Sequence, residues 1–167
     1  MKRRPLTWVD NMSRFLTKKL FSIMFLLAAP PAIAWETLPV GEGANMTKMG
    51  ADYYVSVECR KENGTTLALE IFRFIPPTDE IERFRSLTLE IETSENNRIM
   101  RDVDVVFTDD RDIKVSGQFS VSPQELDLFS VASTFTIRDR STGKAIFTSD
   151  MKGGDAARNL FRQRCGI

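Results

Sequence analysis

Few side chains in this sequence are of the kinds that do chemistry. Cysteine occurs twice, at Cys59 and Cys165, and histidine is absent. Without imidazole the chain lacks the commonest general base near neutral pH and the commonest zinc ligand. The two thiols are too far apart in sequence for the C-x-x-C pattern of a redox catalyst. Asp109, Asp110 and Asp112 crowd carboxylates as a hard cation requires, but the stretch lacks the central glycine and closing glutamate of a calcium loop. A solvated turn is the expectation there. Glu58, Glu70, Glu90, Glu92, Asp102 and Asp104 fall on strand-like stretches, with Arg60, Arg73, Arg85 and Arg101 as cross-strand partners. A hydrolase would need two of those carboxylates to converge in a cleft. Gly153-Gly154 precedes a helical pattern but lacks the lysine and spacing of a phosphate loop, so it reads as a flexible joint. No catalytic residue, no metal ligand and no cofactor site is expected.

The remaining candidate is a surface. Phe72, Phe74 and Phe84 break the local alternation and flank Pro76-Pro77. Such a segment is either a strand covered on both sides or an apolar contact patch for a partner. These three phenylalanines are the candidate binding surface.

What positions these residues begins with Lys18-Lys19 and the run Leu20 to Ala34, LFSIMFLLAAPPAIA. A basic step, a short apolar core and the small-residue exit Ala32-Ile33-Ala34 make a secretory signal peptide cleaved after Ala34. The run before Pro30-Pro31 is about half of what spans a bilayer, so no stable membrane span is expected after cleavage. Met12 is a second possible start and gives a signal of ordinary length. The expected organisation is a signal at 1–34, a flexible lead-in at 35–50 and one β-rich domain at 51–167. Periplasm or secretion is the expected destination, where disulfides persist and Cys59 and Cys165 would pair.

The signal holds six of the 23 basic side chains and one of the 23 acidic ones, leaving 17 against 22, a net charge of about −5. That surface has no general attraction to nucleic acid or anionic lipid.

From Tyr53 onward the pattern is period two. Tyr53, Val55, Val57 and Cys59 share a face, as do Leu67, Leu69 and Ile71, then Leu87, Leu89 and Ile91, then Val103, Val105 and Phe107, then Val115 and Phe119. Ser122-Pro123-Gln124-Glu125 supplies an N-cap, a first-turn proline and a capping-box glutamate for a helix to about Ala132. Thr134 to Arg138 and Ala145 to Ser149 add two strands, and a last helix carries Ala157, Leu160 and Phe161 toward Cys165. The fold class is mainly β, an antiparallel sheet or β-sandwich of about seven strands with two short C-terminal helices.

The C-terminal cadence of helix, strand, Thr142-Gly143 turn, strand, Lys152-Gly153 and a helix with Ala156 and Leu160, together with the export signal and Trp35, resembles the invasion-associated locus B family. Those small proteobacterial periplasmic proteins are β-rich and linked to host-cell invasion without an assigned enzyme activity. They usually carry more cysteines than the two found here. The resemblance implies a periplasmic β domain and contributes no catalytic residues. The functional expectation is a non-enzymatic exported domain that recognises an envelope protein or a small apolar ligand. The alternative is a structural or secretion-accessory subunit of an envelope assembly, and a carboxylate-based hydrolase is a third reading.

Overall fold

The alternating stretches become strands with their apolar sets turned to one side. The computed structural model describes residues 34–73, 79–95, 97–109 and 111–167, all within one unit that spans Ala32–Ile167. The expected signal, apart from Ala34, lies outside the described residues, as do Phe74, Pro76-Pro77 and Asp110. The strands are β1 (Glu36–Val40), β2 (Gly43–Met49), β3 (Tyr53–Cys59), β4 (Thr66–Arg73), β5 (Ser86–Thr93), β6 (Arg98–Thr108), β7 (Lys114–Ser120), β8 (Ala132–Asp139) and β9 (Ala145–Asp150). The helices are α1 (Pro123–Leu128) and α2 (Gly154–Cys165).

The fold class is as expected, mainly antiparallel β with two short helices, but the strands number nine rather than about seven. The difference is the lead-in at 35–50, which forms the hairpin β1–β2 turned at Gly41 with φ +56°. Its glycines suggested flexibility, yet Ala44 and Met46 are fully buried. Lys48 shares their inward face and reaches Asp150 at 3.0 Å, and this inward lysine interrupts the apolar alternation that would announce a strand.

The strands form one sheet in the order β1-β2-β3-β4-β7-β6-β5-β8-β9, antiparallel throughout and curled into a half-barrel. Strands β1 to β4 are a meander. The connection from β4 to β5 then passes two strands, and β5-β6-β7 folds back so that β7 lies beside β4. The connection from β7 to β8 also passes two strands and contains α1. In the row Leu69, Gly117, Val105, a Cβ on Gly117 would sit 2.5 Å from the Asp104 carbonyl oxygen and 2.7 Å from Val103. Only glycine leaves space for that close approach.

Non-strand elements cover the apolar face. Helix α2 packs on β2 and β1, burying Ala157 and Phe161 in the same cluster as Leu126 and Phe129 of the α1 segment. Ser122 caps α1 as expected, with its side chain accepting from the Glu125 N–H at 3.2 Å and the Glu125 carboxylate accepting from the Ser122 N–H at 2.8 Å. The helix ends at Leu128 rather than near Ala132, because Ala132 is already the first residue of β8. Cys59 at the end of β3 and Cys165 at the end of α2 are disulfide-bonded, with Cα atoms 6.2 Å apart.

Gly153-Gly154 is a packed joint rather than a flexible one. Gly153 takes φ +90°, and a Cβ on it would meet the Trp35 carbonyl oxygen at 2.7 Å. Trp35 in turn donates its backbone N–H to the Lys152 carbonyl at 2.7 Å and its indole N–H to the Asp150 carbonyl at 2.9 Å. Its ring meets Phe135 and Phe147 edge-on, with centroids 5.4 and 6.3 Å away. These contacts join the start of β1 to the end of β9 at one end of the half-barrel.

Candidate functional site

The three phenylalanines do not form one surface. Phe84 is a core residue, 4% exposed, with its ring 6.5 Å from Tyr53. Phe72 is half-buried on the opposite side of the sheet, edge-on to Tyr54 at 5.7 Å and under the Lys114 ammonium at 5.3 Å. Phe74 lies outside the described residues. Phe84 departs from the alternation because it follows the Ile81–Arg83 turn into the core, which removes it from any contact patch.

The acidic candidates are mostly held by cations. Glu90, buried on the polar side of the sheet, pairs with Arg98 and with Arg138 at 3.1 Å. Asp102 accepts from Thr88 at 2.7 Å and from Arg140 at 3.1 Å. Glu70 takes Lys114 at 2.6 Å, Glu58 takes Arg60 at 2.6 Å, and Arg101 reaches Glu125 of the capping box. Asp109 and Asp112 are exposed, and among the described residues no group of three acidic, histidine or cysteine side chains could hold a metal ion. Nor does any helix among them have the length and apolarity to cross a membrane.

A polar cluster lies where the described part of the β4–β5 connection, residues 79–85, meets β3, β4 and the β8–β9 turn. That connection ends in a single 3₁₀ turn, Ile81–Arg83, with Ile81 fully buried and the turn packed on β7. Glu80, just before it, accepts from Arg73 at 2.6 Å and from Lys144 in the β8–β9 turn at 3.0 Å. Tyr53 accepts from Arg73 at 3.0 Å and donates to Glu80 at 3.4 Å. One carboxylate therefore ties β3, β4 and the β8–β9 turn together. The Arg73 and Lys144 hydrogen bonds hold its carboxyl below the usual range. Burial, with the Glu80 charge adding to it, pushes the Tyr53 phenol up to about 12, so at neutral pH it is a neutral donor.

Beside this knot the chain carries arginine on either side of Phe84. Arg83, Arg85 and Arg140 line a cleft of about 250 Å³ together with Ser86, Asp139 and Ser141. A second cleft of about 270 Å³ adjoins it, shares Arg83, Asp139 and Ser141, and extends to Thr142 and Lys144. The Arg85 guanidinium is fixed by the carbonyls of Glu82 at 2.6 Å and Phe84 at 2.9 Å. Among the described residues it makes none of the cross-strand carboxylate pairs expected for it. Asp139 accepts from the Ser141 N–H at 3.0 Å, the Ser141 hydroxyl at 2.8 Å and the Thr142 hydroxyl at 2.7 Å. Burial pushes the Asp139 carboxyl up, but the Thr142 and Ser141 hydrogen bonds outweigh it and hold it low. The trace of this site in the sequence is Arg83-Phe84-Arg85, where Phe84 reads as part of a contact patch and Arg85 as a cross-strand partner.

The lowered carboxyls predict a direction for acid stability. Glu80 is held down by Arg73 and Lys144, and Asp150 by Lys48. For Glu90, burial pushes upward but Arg98 and Arg138 win. A carboxyl held lower in the folded than in the unfolded state contributes stability that is fully present above its unfolded value. For Glu80 that value is about 4.5, and its contribution is lost as pH falls through the lower folded value. Urea unfolding between pH 7 and pH 3 should show stability falling only below about pH 4.5, with a shallower fall in Glu80→Gln. A flat profile across that range would show that these carboxylates are not coupled to folding.

No family model, no curated protein and no solved structure matches this chain.

Proposed function

We propose that this chain is an exported, non-enzymatic binding domain that meets an envelope component at the rim where the β4–β5 connection and the β8–β9 turn come together. The observation that carries this reading is the contrast between the two parts of the fold. The apolar face is occupied by the domain's own Phe161, Leu126, Ile81 and Phe129, each at most 2% exposed, which speaks for a partner met outside rather than an enclosed apolar ligand. The rim, by contrast, offers adjoining clefts with charged side chains on a disulfide-tied frame. The signal-like segment and the Cys59–Cys165 bond favour an oxidising compartment.

A second reading, an accessory subunit joined by strand addition, draws on β1. It is an edge strand with Leu38 and Val40 exposed on it, and such edges recruit strands of other chains.

The test is made in the producing cell. Fractionation and N-terminal sequencing should find the chain starting at Trp35 outside the cytoplasm. A photoreactive residue placed at Ser141 should give a defined adduct there, and one at Gln118, on β7 away from the rim, should not. An intact cytosolic chain with reduced thiols would remove the export reading. Adducts from Leu38 alone would favour the edge-strand reading.

A further inference from the structure

We propose that the cleft of Arg83, Arg85 and Arg140 binds a phosphate group, either free or carried on an anionic lipid headgroup. This names the ligand chemistry of the rim and rests on that proposal only for its location, because phosphate binding is measurable whether or not the chain is exported.

The first argument is charge placement. Residues 35–167 carry more acidic than basic side chains, 22 against 17. In such a chain arginines find carboxylates easily, and Arg60, Arg73, Arg98, Arg101, Arg138 and Arg162 do so. Arg83 and Arg85 have no carboxylate partner among the described residues, and both line the same cleft. Arg140 joins them with one nitrogen held by Asp102 at 3.1 Å. The lining thus sets three guanidinium groups against a single carboxylate, Asp139, whose oxygens already accept hydrogen bonds from the Ser141 N–H and the Ser141 and Thr142 hydroxyls.

The second argument is pre-organisation. Arg85 is pinned through one terminal nitrogen by two carbonyls, which aligns the fork while the other donors carry no bond within the described residues. The Arg140 N–H donates to the Ser86 carbonyl at 3.1 Å, tying the β8–β9 turn to the start of β5 and fixing the two sides of the cleft. A planar fork held in advance matches the oxygens of phosphate and loses little freedom on binding. The Ser86 hydroxyl, in the cleft wall, is buried without a hydrogen-bond partner. A small rearrangement on binding would give it one. At about 250 Å³ the cleft is smaller than the roughly 300–1,000 Å³ of drug-sized ligand sites. It suits an ionic group with a short stub.

The experiment titrates inorganic phosphate into the protein as isolated from the producing cell, at pH 7 and physiological salt, and follows backbone amide shifts. Sedimentation with phosphatidylcholine vesicles, with and without phosphatidic acid, runs alongside. Arg83→Gln breaks no side-chain hydrogen bond among the described residues, and the Arg83→Gln/Arg85→Gln pair removes two forks. Arg164→Gln, on an exposed arginine of α2 with no carboxylate partner among the described residues, is the control. The expected result is saturable binding with shifts confined to residues 83–86 and 139–142. It should weaken roughly tenfold in Arg83→Gln and further in the double variant, with the control unchanged. Binding to free phosphate alone supports a soluble source. Arginine-dependent binding to phosphatidic acid vesicles alone supports a headgroup source. Absence of both, or binding that the double variant leaves intact while its thermal unfolding matches the parent, overturns the proposal. Either of those failures leaves the compartment and rim-adduct results standing.

Discussion

Replacing Cys59 and Cys165 together by alanine is expected to lower the unfolding free energy by about 4 kcal/mol and the thermal midpoint by roughly 15 °C. The bond closes a sequence separation of 106 residues, a loop for which chain-entropy reasoning gives roughly 4–5 kcal/mol. Both sulfurs are in the core, so a single substitution would also leave a buried thiol, and the double alanine variant isolates the crosslink more cleanly. The bond also anchors the last turn of α2, whose Ala157 and Phe161 cover β2. Reduced protein should therefore lose protection from amide exchange first in α2 and in the β1–β2 hairpin beneath it. A midpoint within two degrees of the parent would mean that noncovalent packing alone fixes the helix, and the tie would be redundant.

Trp35→Ala should cost about 3–5 kcal/mol, the usual range for removing a large buried aromatic. The side chain is 3% exposed, its ring packs on Phe135 and Phe147, and its N–H is held by the Asp150 carbonyl. Trp35→Phe separates the two contributions. It keeps an aromatic ring against Phe135 and forfeits the indole hydrogen bond, so it should cost about 1–2 kcal/mol. Denaturant unfolding of the two variants is the measurement. An alanine variant as stable as the phenylalanine variant would show that the ring is not part of the core. Its burial, ring contacts and indole hydrogen bond make Trp35 a structural anchor docked on the domain.

How much of this was legible depended on whether one periodicity ran uninterrupted. The five stretches from Tyr53 to Val121 alternate along most of their length, the end of β4 at Phe72 excepted, and their inward residues Val55, Leu69, Leu87, Val103 and Val115 are all at most 1% exposed. The capping box at Ser122 was equally readable because four adjacent residues specify it. The β1–β2 hairpin was hidden by Lys48, an inward cation that pairs with Asp150, 102 positions away. Arg158 and Arg162 converge on Asp127, which precedes them by about 30 residues, a meeting that no local spacing announces. The rim cleft was invisible for the same reason. Arg83 and Arg85 acquire meaning only when the β8–β9 turn brings Asp139, Arg140 and Ser141 alongside, and no local pattern encodes that meeting.

The contact between Trp35 and Asp150 spans 115 positions, and it sets the timetable on which this chain can mature. The first strand has no terminal clamp until residues 150 to 153 exist, and Cys59 has no sulfur to join until residue 165 has followed. A nascent chain emerging in order would hold a meander with an uncovered greasy side through most of its synthesis. Stepwise, domain-from-the-front acquisition of structure is thereby disfavoured. The clamp at Trp35 and the Cys59–Cys165 crosslink therefore form late, once the C-terminal residues are present to receive them.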